Sequence, residues 1–113
     1  GLTRLKSLDI GPSKITDATV KELGKLTMLT HLDVWQTGVT DQAVSDLKTF
    51  SRLQEVNLRR TAVTDARLPE LNTLQRLQKI DVRETKTTSE GRRALRAALP
   101  NATVLPWPEP TEK

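Results

Sequence analysis

Asp9 and Asp33 stand 24 positions apart, and close to the second lies His31, the only histidine of the chain. Paired carboxylates can run acid–base chemistry or hold a hard cation. Ser7 lies 24 residues before His31, so a Ser–His–Asp arrangement is also to be weighed. Each of these chemistries needs a cleft that excludes water. Apolar–polar alternation instead places Ser7, Asp9, His31 and Asp33 on one open strand face, with no evident oxyanion donors. A salt-bridged surface fits better, because Asp33 has His31 two residues away and Arg59 one unit on. One histidine and no cysteine exclude histidine-rich and thiolate metal sites. No glycine-rich phosphate loop is present. Catalysis, a cofactor and a metal are therefore not expected. Recognition is the chemistry that remains. Trp35 and Arg59 are of the types that dominate binding energy at interfaces.

The elements that must position these residues are legible as a repeat. Leu occurs 17 times and Thr 16 times in 113 residues, a narrow vocabulary that suggests a regular device. Leu5, Leu29, Leu53 and Leu77 open units of 24 residues, followed by Leu8, Leu32, Val56 and Ile80, then Ile10, Val34, Leu58 and Val82. Ser13, Thr37, Thr61 and Thr85 come next, then Ile15, Val39, Val63 and, out of pattern, Thr87. Asp17, Asp41, Asp65 and Ser89 follow as expected helix caps. Val20, Val44 and Leu68, then Leu23, Leu47, Leu71 and Leu95, have helical spacing. Each unit reads as strand, turn, helix and return, and only stacked units can bury the apolar edge. The hydroxyls at 13, 37, 61 and 85 are expected to form a column that satisfies turn backbone groups. Pro69 should disturb the third helix, and Thr87, Gly91 and Arg92 make the fourth unit atypical. Ala102–Leu105 is expected as a fifth strand, stopped by Pro106.

The run "LTMLTHLDVWQTGVTDQAVSDLKTF" resembles a leucine-rich repeat, of the bacterial 24-residue subtype whose turn reads Val/Ile-Thr-Asp. Ser or Thr stands here where that pattern usually carries Asn. The resemblance implies an α/β solenoid, a right-handed superhelix with a parallel β-sheet on the concave face and helices on the convex face. Residues 1–105 form the expected leucine-rich-repeat domain, of about four units plus a capping strand, and 106–113 a Pro-rich tail. Such repeats imply a binding scaffold without naming its ligand.

The repeat frame then sorts the exposed residues. Trp35 points to the concave face, either as a contact for a partner or as a shield over Gly11 and Pro12. The concave columns carry Lys6, Arg59, Arg60, Lys79 and Arg83 against Asp9, Asp33, Glu55, Asp81 and Glu84, a balance of charge, while the whole chain carries +4. Balanced charge favours a protein ligand over a phosphate backbone. The expected function is a non-catalytic protein–protein interaction module, part of a longer array. Trp35 and Arg59 are its expected anchors, with His31, Asp33, Asn57, Arg60, Asp81 and Arg83 shaping specificity. The alternatives are self-association through an open N-terminal edge at Leu2 and Leu5, and weak binding of nucleic acid or an anionic surface by the basic last helix, with Arg92, Arg93 and Arg96. No apolar run is long enough to span a membrane.

Overall fold

A computed structural model describes residues 4–110; Leu2 lies outside the described residues. Five three-residue strands form one parallel sheet in chain order: β1 (Ser7–Asp9), β2 (His31–Asp33), β3 (Glu55–Asn57), β4 (Lys79–Asp81) and β5 (Thr103–Leu105). The register is the sequence period itself: Leu8 pairs with Leu32, Val56 with Ile80, and Ile80 with Val104. Equal coils leave no slack for any other alignment, since a one-residue slip would turn every core side chain outward.

The central residue of each strand faces the interior. There Leu32, Val56 and Ile80 join Leu29, Val34, Val39, Leu47, Phe50, Leu53, Leu58 and Val63, all at most 2% exposed. The other wall is helical: α1 (Asp17–Glu22), α2 (Asp41–Asp46) and α3 (Ser89–Ala98). The first two run on into single 3-10 turns. The third unit has a 3-10 helix throughout, Asp65–Thr73, with Pro69 inside it. Proline removes a donor and crowds the preceding turn, which opposes a regular α-helix there.

The hydroxyl column is present. Ser13, Thr37, Thr61 and Thr85 each donate to the carbonyl three residues before, at 2.6–2.7 Å. Beside it, Gln36, Arg60 and Glu84 hold left-handed backbone, with φ of 50–58°. Each coil turns from strand to return at this point. Gln36 and Arg60 are fixed there by N–H donation to the carbonyls of Arg59 and Arg83, at 2.8 and 3.0 Å.

The aspartates expected as helix caps act differently. The N-cap residues are Thr16, Thr40, Thr64 and Thr88; Ser89 follows the last of these as the first helical residue, and after the other three an aspartate holds that place. Its carboxylate reaches across to the next coil. Asp17 accepts from the Thr40 N–H and hydroxyl at 2.7 and 2.5 Å, and Asp41 from those of Thr64 at 2.8 and 2.6 Å. Asp65 binds Thr88 in the same way. The threonine oxygen in turn accepts a helix N–H, from Gln42, Ala66 or Gly91. One Thr-Asp dipeptide thus starts its own helix and clasps a neighbour.

The fourth coil closes the stack. Gly91 does not shorten α3, which is the longest α-helix among the described residues; a Cβ at 91 would lie 2.2 Å from the Asp65 carboxylate. Thr87 and Arg92, polar at apolar positions of the repeat, are both buried and bind each other, with Arg92 Nη1 donating to Thr87 Oγ1 at 2.9 Å and to its carbonyl at 2.8 Å. Glu109 folds back onto Arg92 and Arg96 at 2.5 and 2.6 Å.

Candidate functional site

Two residues of each strand flank the inward one and point to the concave side. They line a shallow groove of about 470 Å³ along the sheet, with Ser7, Asp9, His31, Asp33, Glu55, Asn57, Lys79 and Asp81 among its walls. Of the residues expected to bind a partner, His31, Asp33, Asn57 and Asp81 meet in this groove. Trp35, Arg59, Arg60 and Arg83 stand two or three residues further along their coils, on a ledge beside it.

Much of the groove floor is built into the backbone. Asp9, Asp33, Asn57 and Asp81 each accept, through Oδ1, the N–H two residues on, at 3.0–3.2 Å. A side-chain oxygen that satisfies the end of a strand in this way holds the ledge residue at a fixed height. Asn57 also donates to Asp33 at 3.4 Å. Burial, with Asp9 and Asp81 nearby, raises the Asp33 carboxyl above its ordinary range, although the Trp35 N–H pulls the other way. Burial also opposes ionisation of Asp81, which is 3% exposed. Its paired bonds from the Arg83 guanidinium outweigh that and bring the carboxyl below the usual range.

His31 is engaged at both ring nitrogens. Nδ1 lies 2.8 Å from the Thr30 hydroxyl and Nε2 lies 3.3 Å from Glu55. Ser7 pairs with His31 across the strands, but neither imidazole nitrogen is directed at it as a base. Among the described residues no three acidic, histidine or cysteine side chains gather in a way that could hold a metal.

The ledge is an ordered set of cations around one anion. Glu84 accepts from Arg59 Nη2 at 2.7 Å and from Arg60 Nε at 2.5 Å, and Arg60 also donates to Gln36 at 3.3 Å. The two arginines, Arg59 first, hold the Glu84 carboxyl below its usual range. Trp35 is half-buried, its Cδ1 only 2.8 Å from where a Cβ on Gly11 would stand. Lys6 apart, the charges on this face are segregated. The floor carries Asp9, Asp33, Glu55 and Asp81 against Lys79, while the ledge carries Arg59, Arg60 and Arg83 against Glu84.

Ser7, Asp9, Glu55 and Lys79 line the groove but were not among the expected contacts, and Glu84 organises the ledge. The sequence columns contain all five; only their reach across coils was hidden. On the last helix, Arg92 and Arg96 are turned into the C-terminal closure, and Arg96 lies 4.8 Å over the Trp107 ring. Arg93 alone of that basic trio stays exposed. No helix among the described residues is long and apolar enough to cross a membrane.

No protein-family model and no curated protein matches the sequence. Solved structures do. Internalin C2 from Listeria monocytogenes superposes with a TM-score of 0.74 at 22% identity, over 92% of this chain and 43% of that one. An internalin, inlF, of the same organism gives 0.62 at 21%, over 96% and 36%. A leucine-rich-repeat protein of Leptospira interrogans gives 0.68 at 20%, over 88% and 25%. The chain thus spans less than half the length of each. Sequential parallel strands, one to a coil, and these likenesses lead to one conclusion: the chain folds as a leucine-rich-repeat solenoid.

Proposed function

We propose that the chain is a non-catalytic interaction module that binds a protein ligand on its concave face. The observation that carries this reading is the groove, an open surface bearing side chains of both signs along the outward face of the sheet. An acidic floor beside an arginine ledge suits a ligand with separated charges, such as a folded protein, better than a phosphate backbone of one sign. Trp35 and Arg59 are the anchors in this reading, and His31, Asp33, Asn57, Arg60, Asp81 and Arg83 set register and specificity. Arg59 remains 38% exposed although paired. The groove is shallow, and both nitrogens of its only imidazole are occupied, which supports recognition over turnover.

The test is comparative capture. Trp35→Ala and Arg59→Ala chains, each shown to be folded by circular dichroism, are matched against the parent and against Lys21→Ala on the exposed convex side. Proteins held by the parent should bind each groove-side variant roughly 30-fold more weakly, about 2 kcal/mol, and Lys21→Ala undiminished. Equal capture by all four chains rejects the concave face as the binding surface.

A further inference from the structure

The excess positive charge of the chain has a place in the fold. It is not the last helix, where Arg92 and Arg96 are spent on Glu109. It is the set of segments that lead each helix back to the next strand. Residues 23–30, 47–54 and 71–78 contain Lys25, Lys48, Arg52 and Arg76 and no aspartate or glutamate, and Arg4 and Lys6 precede β1 in the same frame. All 14 acidic residues of the chain fall outside these segments. The three segments follow one path. In each, two successive backbone N–H groups donate three residues back, from Leu26 and Leu29, Phe50 and Leu53, and Leu74 and Leu77, at 2.8–3.1 Å. A ladder then joins them side by side, with Thr30 donating to Lys6, Gln54 to Thr30 and Gln78 to Gln54 at 2.7–2.8 Å. Their cations therefore form one edge of the stack, at the N-terminal ends of the strands and opposite the arginine ledge. Lys48 is paired with Glu70 at 2.9 Å. Arg4, Lys6, Lys25, Arg52 and Arg76 are exposed and, among the described residues, meet no carboxylate.

This edge runs to an aromatic ring. Pro100 stands 24 residues after Arg76 and, with Ala102, Thr103 and Trp107, lines a depression of about 230 Å³. Trp107 is 64% exposed and is the single exposed large apolar side chain among the described residues. Arg96 covers one side of its ring, 4.8 Å from the centroid. From Arg4 to Pro100 the edge crosses four coils, roughly 19 Å at about 4.8 Å per strand. A row of cations of one sign suits a phosphate backbone, as the two-signed concave face does not. An open indole beside it offers a stacking surface for one base. A lone ring without an apolar face around it gives a membrane little to bury. A duplex keeps its bases stacked inside, away from the ring.

We propose that this edge binds single-stranded nucleic acid, its phosphates lying along Arg76, Arg52, Lys25 and Arg4 and one unpaired base resting on Trp107. The proposal goes beyond the concave-face reading and does not depend on it, since no groove or ledge residue takes part.

The experiment follows the fluorescence anisotropy of a labelled oligothymidylate titrated with the full chain, from low to moderate salt. Binding should weaken steeply as salt rises, with a log–log slope of about −3 for four phosphates. Charge reversal of the edge, Arg52→Glu with Arg76→Glu, should weaken binding at least 10-fold and flatten the slope by about 1.4, two phosphates at about 0.7 each. The control with the same change in net charge, Lys21→Glu with Arg93→Glu on the exposed helical side, should stay within about 3-fold of the parent. Trp107→Ala should bind roughly 10-fold more weakly, as loss of one stacked base implies. Circular dichroism verifies the fold of each variant. The proposal is overturned if the oligonucleotide does not bind at low salt, if the control pair weakens binding as much as the edge pair, or if Trp107→Ala binds like the parent. It is also overturned if a duplex of the same length binds as tightly, or if vesicles of phosphatidylserine and phosphatidylcholine capture the chain and the oligonucleotide does not.

Discussion

Gly11 shows how closely single residues are held on this face. A Cβ there would lie 2.1 Å from the Trp35 carbonyl oxygen and 2.8 Å from its ring. The neighbouring backbone is held by the bonds from the Trp35 N–H to Asp33 and from the Gln36 N–H to the Arg59 carbonyl, and cannot yield cheaply. Gly11→Ala should therefore cost about 1–3 kcal/mol in urea denaturation, in the range of an overpacked site. In a Trp107→Phe background it should also shift the Trp35 emission, since the ring must leave its seat. At this scale the sequence was partly legible. Alternation correctly placed His31, Asp33, Asn57 and Asp81 on one surface, because strand geometry leaves side chains two choices of face. It could not show that Arg59 and Arg60 converge on Glu84, or that Arg83 turns back to Asp81. Long side chains choose among many rotamers, and the choice depends on neighbours one coil away. The dual role of Asp81, ion partner and backbone acceptor, was hidden for the same reason.

Among the elements, the Thr-Asp dipeptide does the work of two devices. The aspartate sits in the first turn, where the helix dipole favours negative charge, while its oxygens hold the next coil. Asp41 is the clearest case, being half-buried with two short bonds to Thr64. Asp41→Ala should lower stability by about 2–3 kcal/mol, the usual loss for hydrogen bonds to a charged acceptor. Asp41→Asn should lie between, because one of its two oxygens becomes a donor group. Midpoints of chemical denaturation for the three chains test this order. Reading the aspartates as caps located the helix starts to within one residue, yet missed the clasp. A cap is a local pattern, whereas a clasp joins residues 23 positions apart. Pro69 announced a disturbed third helix, but not that the whole segment would tighten into 3-10 geometry. Thr87 and Arg92 were seen as two separate departures. Their burial together shows one substitution completing the other.

Taken whole, the molecule is closed at one end by charge. Glu109 is held at about 2 against an ordinary 4.5, first by its bonds from Arg92 and then by Arg96, with burial opposing. A carboxyl depressed on folding adds stability that is complete above 4.5 and is lost as pH falls through about 2. Glu109→Gln should be about 2 kcal/mol less stable at neutral pH, the scale of charge-assisted bonds to a largely buried partner. That gap should close across this acidic window, as read by urea titrations at stepped pH. The stacking of strand, turn and helix units was legible from the period, and the solenoid architecture from the leucine-rich-repeat resemblance that the period carries. The closure was not, because it depends on a tail outside the period. In the first coil Leu5, Leu8, Ile10 and Leu26 are only partly buried, whereas Leu95, Leu99 and Val104 at the other end are buried, and these unequal ends give unfolding a direction. The coil with the least covered interior should fray first, and loss of order should then travel along the sheet, one clasp at a time, toward the Arg92–Glu109 lock. A spring anchored at a single end behaves in this way: its free turn sets how readily it starts to uncoil, and its fixed turn sets how far the loosening runs before the whole collapses.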